Sequence, residues 1–191
     1  MKNYKLLILL LFSCILFAQE RIIDGNERPE NYSPQKGDYL TNNLLDDFEG
    51  VFIWKNDNGK EILITLIKKK FYYEIADFYT DMLFGSIEYK RNNKIIIQKK
   101  VIESKDKIST SDTKTSPYQI MGGVVTSQSV ELSINDEEKN KHIVGIFTKL
   151  ENGKYLLKLK ELRDNTIIRP GERGKESGFT LPEEMILIKL K

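Results

Sequence analysis

Short apolar segments separated by polar turns follow one another from Phe48 to the C-terminus. In the first stretch, FEGVFIWKNDNGKEILITL, the side chains of Phe48, Phe52 and Trp54 share one parity and therefore one face of a strand. The Asn58-Gly59 dipeptide follows, and both of its residues tolerate the positive φ angles of a tight hairpin turn. This pattern predicts a β-hairpin at the start of a folded domain.

The same kind of pattern continues along the chain. The segment KYLLKLKEL alternates apolar and mostly polar positions, and it follows Asn152-Gly153, a second hairpin dipeptide. Gly122-Gly123 predicts a bulge or a sharp bend at the entry to another strand. The spacing indicates about nine short strands joined by hairpin-length connections. We therefore predict an all-β fold, either a single antiparallel lipocalin-like barrel or a strongly curved meander of about 8–10 strands.

The N-terminus has a different composition. Lys2 and Lys5 precede an apolar run that ends at Ala18 and is shorter than the roughly 20 residues of a transmembrane helix. The sequence predicts a Sec signal peptide over residues 1–18, with export to the periplasm or the medium. The alternative is a lipoprotein signal in which Cys14 is lipidated, and only then do we expect a membrane anchor.

Residues 19–47 are polar, are interrupted by prolines and show no sustained period. They predict an extended polar leader between the signal peptide and the barrel. The predicted division is therefore a signal peptide (1–18), a leader (19–47) and a β-barrel domain (48–191).

Charge and cysteine content exclude several classes of function. Removal of residues 1–18 takes away two of the 30 basic residues and leaves the 28 acidic ones, so the mature chain is neutral. A neutral surface does not predict nucleic-acid binding. The only cysteine leaves with the signal peptide, which excludes a disulfide, a thiol nucleophile and a cysteine metal site in the mature chain.

Candidate catalytic residues are scarce. His142 is the only histidine, and the sequence around it offers no nucleophile context. Carboxylates are abundant, and Asp77 and Asp81 flank a predicted bend, so a carboxylate-based hydrolase stays a remote alternative. We expect a protein that is not an enzyme, with no catalytic residues, no metal site and no cofactor.

Phe52, Trp54 and Tyr155 are the candidate ligand-binding residues. Aromatic side chains on the inner face of a barrel can form the floor of a ligand cavity. They can equally fill the barrel as core, because small barrels are packed with side chains. The sequence leaves both interpretations open.

Several segments resemble one family of proteins. They are the Phe48-x-Gly50 start, the Asn-Gly turn, DMLFGSIEY, IMGG, ELSIND and the closing FTLPEEMILIKL. They are similar to a family of uncharacterised, exported proteins of the bacterial phylum Bacteroidota. The resemblance covers residues 48–191, and it implies a secreted, lipocalin-like β domain. No catalytic residue is established for that family, so the resemblance implies no site.

The comparison with lipocalins rests on two features. Lipocalins begin their first strand with Gly-x-Trp, and Gly50-Val51-Phe52 has phenylalanine in the place of the tryptophan. In lipocalins a basic residue near the end of the chain covers that ring, and Lys189 is the corresponding candidate here. The Gly-x-aromatic motif supports the start of a barrel only.

Besides the hydrolase, two non-catalytic functions remain open from the sequence. The first is a non-catalytic binding module of the cell envelope that holds a small apolar or amphipathic ligand in its barrel. The second is a protein–protein interaction domain with a solid core, which contacts an envelope protein through the loops 104–116 and 170–178. We expect a monomer under both.

Overall fold

The fold was analysed in a computed structural model of the 191-residue chain. The structure describes residues 20–25, 32–100, 107–114, 118–161 and 177–190. The predicted signal peptide and Cys14 lie outside the described residues. Within the described residues, no helix is long and apolar enough to cross a membrane.

The described chain is almost entirely β-structure. The strands are β1 (Arg21–Asp24), β2 (Asp38–Thr41), β3 (Gly50–Lys55), β4 (Lys60–Tyr73), β5 (Phe78–Arg91), β6 (Lys94–Ile97), β7 (Lys107–Ser109), β8 (Ile120–Val125), β9 (Ser129–Asp136), β10 (Lys141–Lys149), β11 (Tyr155–Glu161) and β12 (Glu184–Lys189). A short 3-10 helix (Asn43–Phe48) precedes β3, and a short α-helix, α1 (Thr110–Lys114), follows β7.

Eight of these strands form a closed antiparallel barrel, which confirms the predicted fold class. Their order is β3-β4-β5-β8-β9-β10-β11-β12. The barrel closes where β12 pairs with β3, with Ile188 opposite Ile53. Closure leaves no free edge among these eight strands, which is a common way for an antiparallel sheet to avoid unpaired backbone groups.

Local sequence signals explain the connections between barrel strands. Gly59 and Gly153 adopt positive φ angles of 67° and 74° in the β3–β4 and β10–β11 turns, which confirms both predicted hairpins. A register shift between Gly122 and Val124 confirms the predicted bulge in β8. These turns fix the register that places one face of every strand inside the barrel.

An aromatic cluster fills the barrel interior near the β10–β11 turn. Phe52 is fully buried, with its ring centroid 5.0 Å from that of Phe147 and 4.8 Å from that of Tyr155. Phe48 packs against the same rings at 5.9 Å and 6.1 Å. Edge-to-face contacts at these distances are typical of well-packed aromatic cores.

The strands β4 and β5 have 14 residues each and extend beyond the barrel. In this extension β2 pairs in parallel with β5, and β7 pairs in parallel with β4. A second, smaller core lies on the outer face there, where Phe71, Phe84, Ile108 and Tyr118 are buried together. The loop predicted for residues 104–116 therefore contains β7 and α1, because Ile108 and its neighbours pack on this outer face.

The predicted leader contributes β1, β2 and the 3-10 helix. The Arg21 guanidinium donates two hydrogen bonds of 2.8 Å to the buried carboxylate of Asp38, so it holds β1 against β2. This paired guanidinium holds the pKa of Asp38 well below its usual range. The segment is thus ordered where it meets the barrel.

Candidate functional site

A partly open cavity of about 520 Å³ lies at one end of the barrel. It lies between β6 and the end of β9. Along one edge of β5, Leu83–Gly85 pair with β8 and Tyr89–Arg91 pair with β6. Among the described strands β6 pairs only with β5, so a gap separates β6 from β9. The cavity occupies this gap.

Apolar side chains form the floor of the cavity. Ile87 of β5 and Ile134 of β9 belong to the inner face of the barrel and are almost fully buried. Ile96 and Ile97 of β6 are partly buried and pack against the same core. Leu181 covers the floor from the segment before β12. The five side chains together form an aliphatic surface without aromatic rings.

Gln119 is a buried polar group in the cavity wall, with only 4% of its surface exposed. Its Oε1 accepts a 2.7 Å hydrogen bond from the backbone N–H of Ile87. Its backbone carbonyl accepts a 2.8 Å hydrogen bond from the N–H of Asn135. Gln119 therefore links β5 to the end of β9 across the entry to β8.

Asp136 holds the segment that covers the cavity. Its carboxylate accepts hydrogen bonds from the backbone N–H of Thr180 at 2.8 Å and from Thr180 Oγ1 at 2.6 Å. It also accepts a 3.2 Å bond from the N–H of Lys139. Because Leu181 follows Thr180 directly, this clamp positions Leu181 over the barrel interior.

The rim of the cavity is charged. Lys99 and Lys100 follow β6, and Glu137 and Glu138 follow β9 on the other side. The Lys100 ammonium and the Glu137 carboxylate form an ion pair between the two sides. An aliphatic floor beneath a polar rim is the usual arrangement of a small-molecule site.

The structure places the three predicted ligand-binding residues away from this cavity. Phe52 and Tyr155 belong to the aromatic cluster near the β10–β11 turn, and Trp54 is partly buried against the same core. The Tyr155 hydroxyl donates a 2.8 Å hydrogen bond to the carbonyl of Asp47, and burial raises its pKa. None of the three lines the cavity. Their role in ligand binding stays a prediction.

Lys189 covers the ring that the sequence comparison indicated. Its ammonium lies 5.6 Å from the centroid of the Phe52 ring and donates a 3.1 Å hydrogen bond to the carbonyl of Asp47. This is the contact that the sequence comparison named Lys189 as a candidate for.

The carboxylates considered for catalysis have structural partners. Asp77 accepts a 2.7 Å hydrogen bond from the Tyr72 hydroxyl and pairs with Lys36 at 2.9 Å, and these contacts lower its pKa. The same bond raises the pKa of Tyr72 to about 12. Asp81 accepts a 2.6 Å bond from the Tyr39 hydroxyl. Both carboxylates therefore stabilise the extension of β4 and β5.

A group of tyrosine rings and lysines lies on the same extension. The ammonium of Lys70 lies 4.1 Å from the Tyr39 ring centroid and 4.4 Å from that of Tyr79. Lys107 lies 4.3 Å from the Tyr72 centroid, and the rings of Tyr72 and Tyr79 stack at 4.8 Å. These cation–π contacts give both ammonium groups partners within the protein, and they attach β2 and β7 to the β4–β5 hairpin.

Sequence reasoning did not identify the residues of the cavity. Gln119 and Asp136 act through partners that are 32 and 44 residues away, and no local spacing indicates such contacts. The acidic residue that ends the predicted strand ELSIND was the one available signal, and its burial is visible only in the structure. His142 is exposed on β10, and no cluster of metal-binding side chains occurs in the described residues.

Comparison with known proteins gives one relationship. Neither the curated proteins nor the solved structures gave a significant match. The model of a family of unknown function, DUF6705, matches residues 1–190, nearly the whole chain. The protein therefore belongs to this family of unknown function, DUF6705.

Proposed function

We propose that the protein is a non-catalytic binding module that holds a small apolar or amphipathic ligand in the cavity between β6 and β9. The observation that carries the proposal is the cavity of about 520 Å³ with its aliphatic floor and polar rim. Small-molecule sites have volumes of roughly 300–1,000 Å³ and this division of apolar and polar surface. Burial of a ligand's apolar part on the isoleucine floor would supply most of the affinity.

The setting of this function is the cell envelope. The proposal includes export through the N-terminal signal peptide and release into the periplasm or the medium, with lipidation of Cys14 as the alternative. This part rests on the basic and apolar pattern of residues 1–18 alone.

A pair of matched variants tests the proposal. Ile97→Trp adds bulk inside the cavity, whereas Ile95→Trp adds the same bulk at a position on β6 that is 51% exposed and does not line the cavity. The probe is N-phenylnaphthylamine, a neutral dye whose fluorescence rises in apolar surroundings. We expect wild type and Ile95→Trp to take up the dye and Ile97→Trp to lose uptake at unchanged stability. Equal uptake by both variants would place the dye elsewhere and contradict the proposal.

Native mass spectrometry of protein isolated from its own cells adds an independent test. We expect a discrete extra mass that disappears on denaturation, because a bound ligand is held without a covalent bond. The denatured mass also shows where the mature chain begins.

A second candidate function is protein–protein interaction. Of the two predicted contact loops, residues 107–114 and 177–178 are among the described residues. The observation that favours this candidate is a row of exposed apolar side chains on β12 and just after it, at Ile186, Ile188 and Leu190. Each exposes about half of its surface, between 52% and 54%. Retention of a partner by wild type and its loss in Ile188→Lys, with dye uptake unchanged, would support this candidate.

A further inference from the structure

We infer that the ligand of this cavity is an amphipathic carboxylate, whose anionic head group binds Lys99 and Gln119 while its alkyl part lies on the isoleucine floor. The inference rests on the proposed function and adds the chemical class of the ligand. Its evidence is the set of polar side chains at the rim of the cavity. Some of them already have hydrogen-bond or ionic partners in the protein, and others can still bind a ligand.

Gln119 presents a hydrogen-bond donor inside the cavity. The backbone N–H of Ile87 is itself a donor, so the atom of Gln119 that faces it at 2.7 Å must be the oxygen. The amide nitrogen therefore faces the other way. Its single described contact is a long one, 3.5 Å to the carbonyl of Gln98. One N–H of this 4% exposed side chain is left for an acceptor on a ligand.

The acidic side chains of the rim are already engaged. The Asp136 carboxylate accepts three hydrogen bonds, from Thr180 and Lys139. Glu137 is paired with Lys100, and Glu138 also takes part in a polar interaction. Each of these three acidic side chains is thus engaged by groups of the protein itself, and a cationic ligand would have to compete with those partners.

Lys99 is the basic side chain of the rim that has no acidic partner among the described residues. It lines the cavity beside Gln98, and it forms no ion pair within the described part of the chain. A carboxylate can accept hydrogen bonds from an ammonium and from an amide N–H at the same time, and charge-assisted bonds of this kind are stronger than neutral ones. An anionic oxygen group is therefore the head group that this rim complements.

The floor requires the rest of the ligand to be apolar. Ile87, Ile96, Ile97, Ile134 and Leu181 offer no hydrogen bond, so a fully hydrophilic anion would lose its hydration there without replacement. A saturated alkyl chain fits this surface, because it asks for neither hydrogen bonds nor ring stacking. The combination of floor and rim indicates an alkyl carboxylate.

Displacement of N-phenylnaphthylamine by three probes of equal chain length tests the inference. The probes are decanoate, decanol and decylammonium, measured near pH 7 with the full-length mature protein. The two ionic probes are kept below their critical micelle concentrations, and decanol is kept below its solubility limit. We expect decanoate to displace the dye at concentrations about tenfold lower than decylammonium, because only the anion complements Lys99 and the Gln119 N–H. Decanol serves as the neutral reference for the aliphatic floor.

Matched variants separate the head group from the floor. Lys99→Gln removes the charge at the rim, and Lys94→Gln removes a charge from an exposed position on β6 that does not line the cavity. We expect Lys99→Gln to weaken decanoate about 1.5-fold to fivefold, the range for an exposed charge pair, and to leave decanol unchanged. Gln119→Glu keeps the acceptor for Ile87 and replaces the donor, so it should weaken decanoate at least as strongly.

The outcomes distinguish the carboxylate inference from the proposed binding function on which it rests. If decanol binds but decylammonium equals decanoate, or if Lys99→Gln leaves decanoate unchanged, the carboxylate inference is overturned and the binding module stands. If neither the dye nor any of the probes binds, both are overturned. The preference for decanoate, its loss in Lys99→Gln and its retention in Lys94→Gln together would establish the inference.

Discussion

Asp136→Ala removes the carboxylate that holds Thr180. Through Thr180, this carboxylate also holds the segment that places Leu181 over the cavity. Three hydrogen bonds are lost, at 2.6, 2.8 and 3.2 Å. Hydrogen bonds to a charged group contribute about 1.5–3 kcal/mol each. They are not additive when they share one acceptor, and Thr180 is only partly buried, so water replaces part of the loss. We expect a decrease in the free energy of unfolding of about 2–4 kcal/mol.

Thermal and urea unfolding, followed by circular dichroism, measure this decrease. For a chain of this size each kcal/mol corresponds to about 2–4 °C in Tm. Thr180→Val removes only the hydroxyl donor and should give roughly half of the effect. Thr180→Ser keeps both donors and serves as the control. The same series should weaken uptake of N-phenylnaphthylamine, because Leu181 loses its fixed position.

A double-mutant cycle refines the test. Asp136→Ala and Thr180→Val act on the same bond, so the double variant should be less destabilised than the sum of the two single variants. If Asp136→Ala unfolds like wild type and binds the dye normally, the clamp does not hold the cavity cover, and the reasoning fails.

Three further predictions concern stability. Asp38→Asn should lower the free energy of unfolding at pH 7, because Arg21 depresses the pKa of Asp38 in the folded state. This contribution is present above pH 4 and is lost as the pH falls further. Urea unfolding from pH 7 to 2 should therefore show the stabilities of the variant and the wild type converging, and parallel curves would contradict the prediction. Phe52→Ala should lower the free energy of unfolding in denaturant by about 3–5 kcal/mol, because the ring is fully buried. Trp54→Ala should lower it by less, because Trp54 is only partly buried. Wild-type stability of Trp54→Ala would mean that Trp54 does not belong to the core. Gly145→Ala should lower Tm, because its Cβ would lie 2.8 Å from a Leu157 methyl group, and an unchanged Tm would mean that this side chain moves freely.

The barrel was predictable because its signals are local. Alternation along the strands and the Asn-Gly dipeptides at 58–59 and 152–153 fix strand faces and turns within a few residues. The pairing of β2 and β7 with the long hairpin was not predictable. Both pairings are parallel and depend on contacts such as Tyr39–Asp81, which are distant in sequence.

The site was less predictable than the fold for the same physical reason. The sequence selects aromatic residues such as Phe52 as candidates, since large inward side chains line some barrels and fill others. The cavity instead lies where the pairing partner along the edge of β5 changes from β8 to β6. Its floor consists of isoleucines and Leu181, which look like any other core residues in the sequence. Only the three-dimensional arrangement shows that Ile87 and Ile134 face an open space.

The closure of the barrel by β12 and β3 has a consequence for the order of folding. Lys189 contacts the carbonyl of Asp47 from 142 residues further along the chain. While the chain is being synthesised, β3 and β11 remain without the strand that lies between them, because β12 comes last. Folds whose contacts join such distant residues form slowly, on a scale of about milliseconds to seconds. The complete barrel can therefore form only after synthesis has passed Lys189, and until then two unpaired strand edges stay open to aggregation.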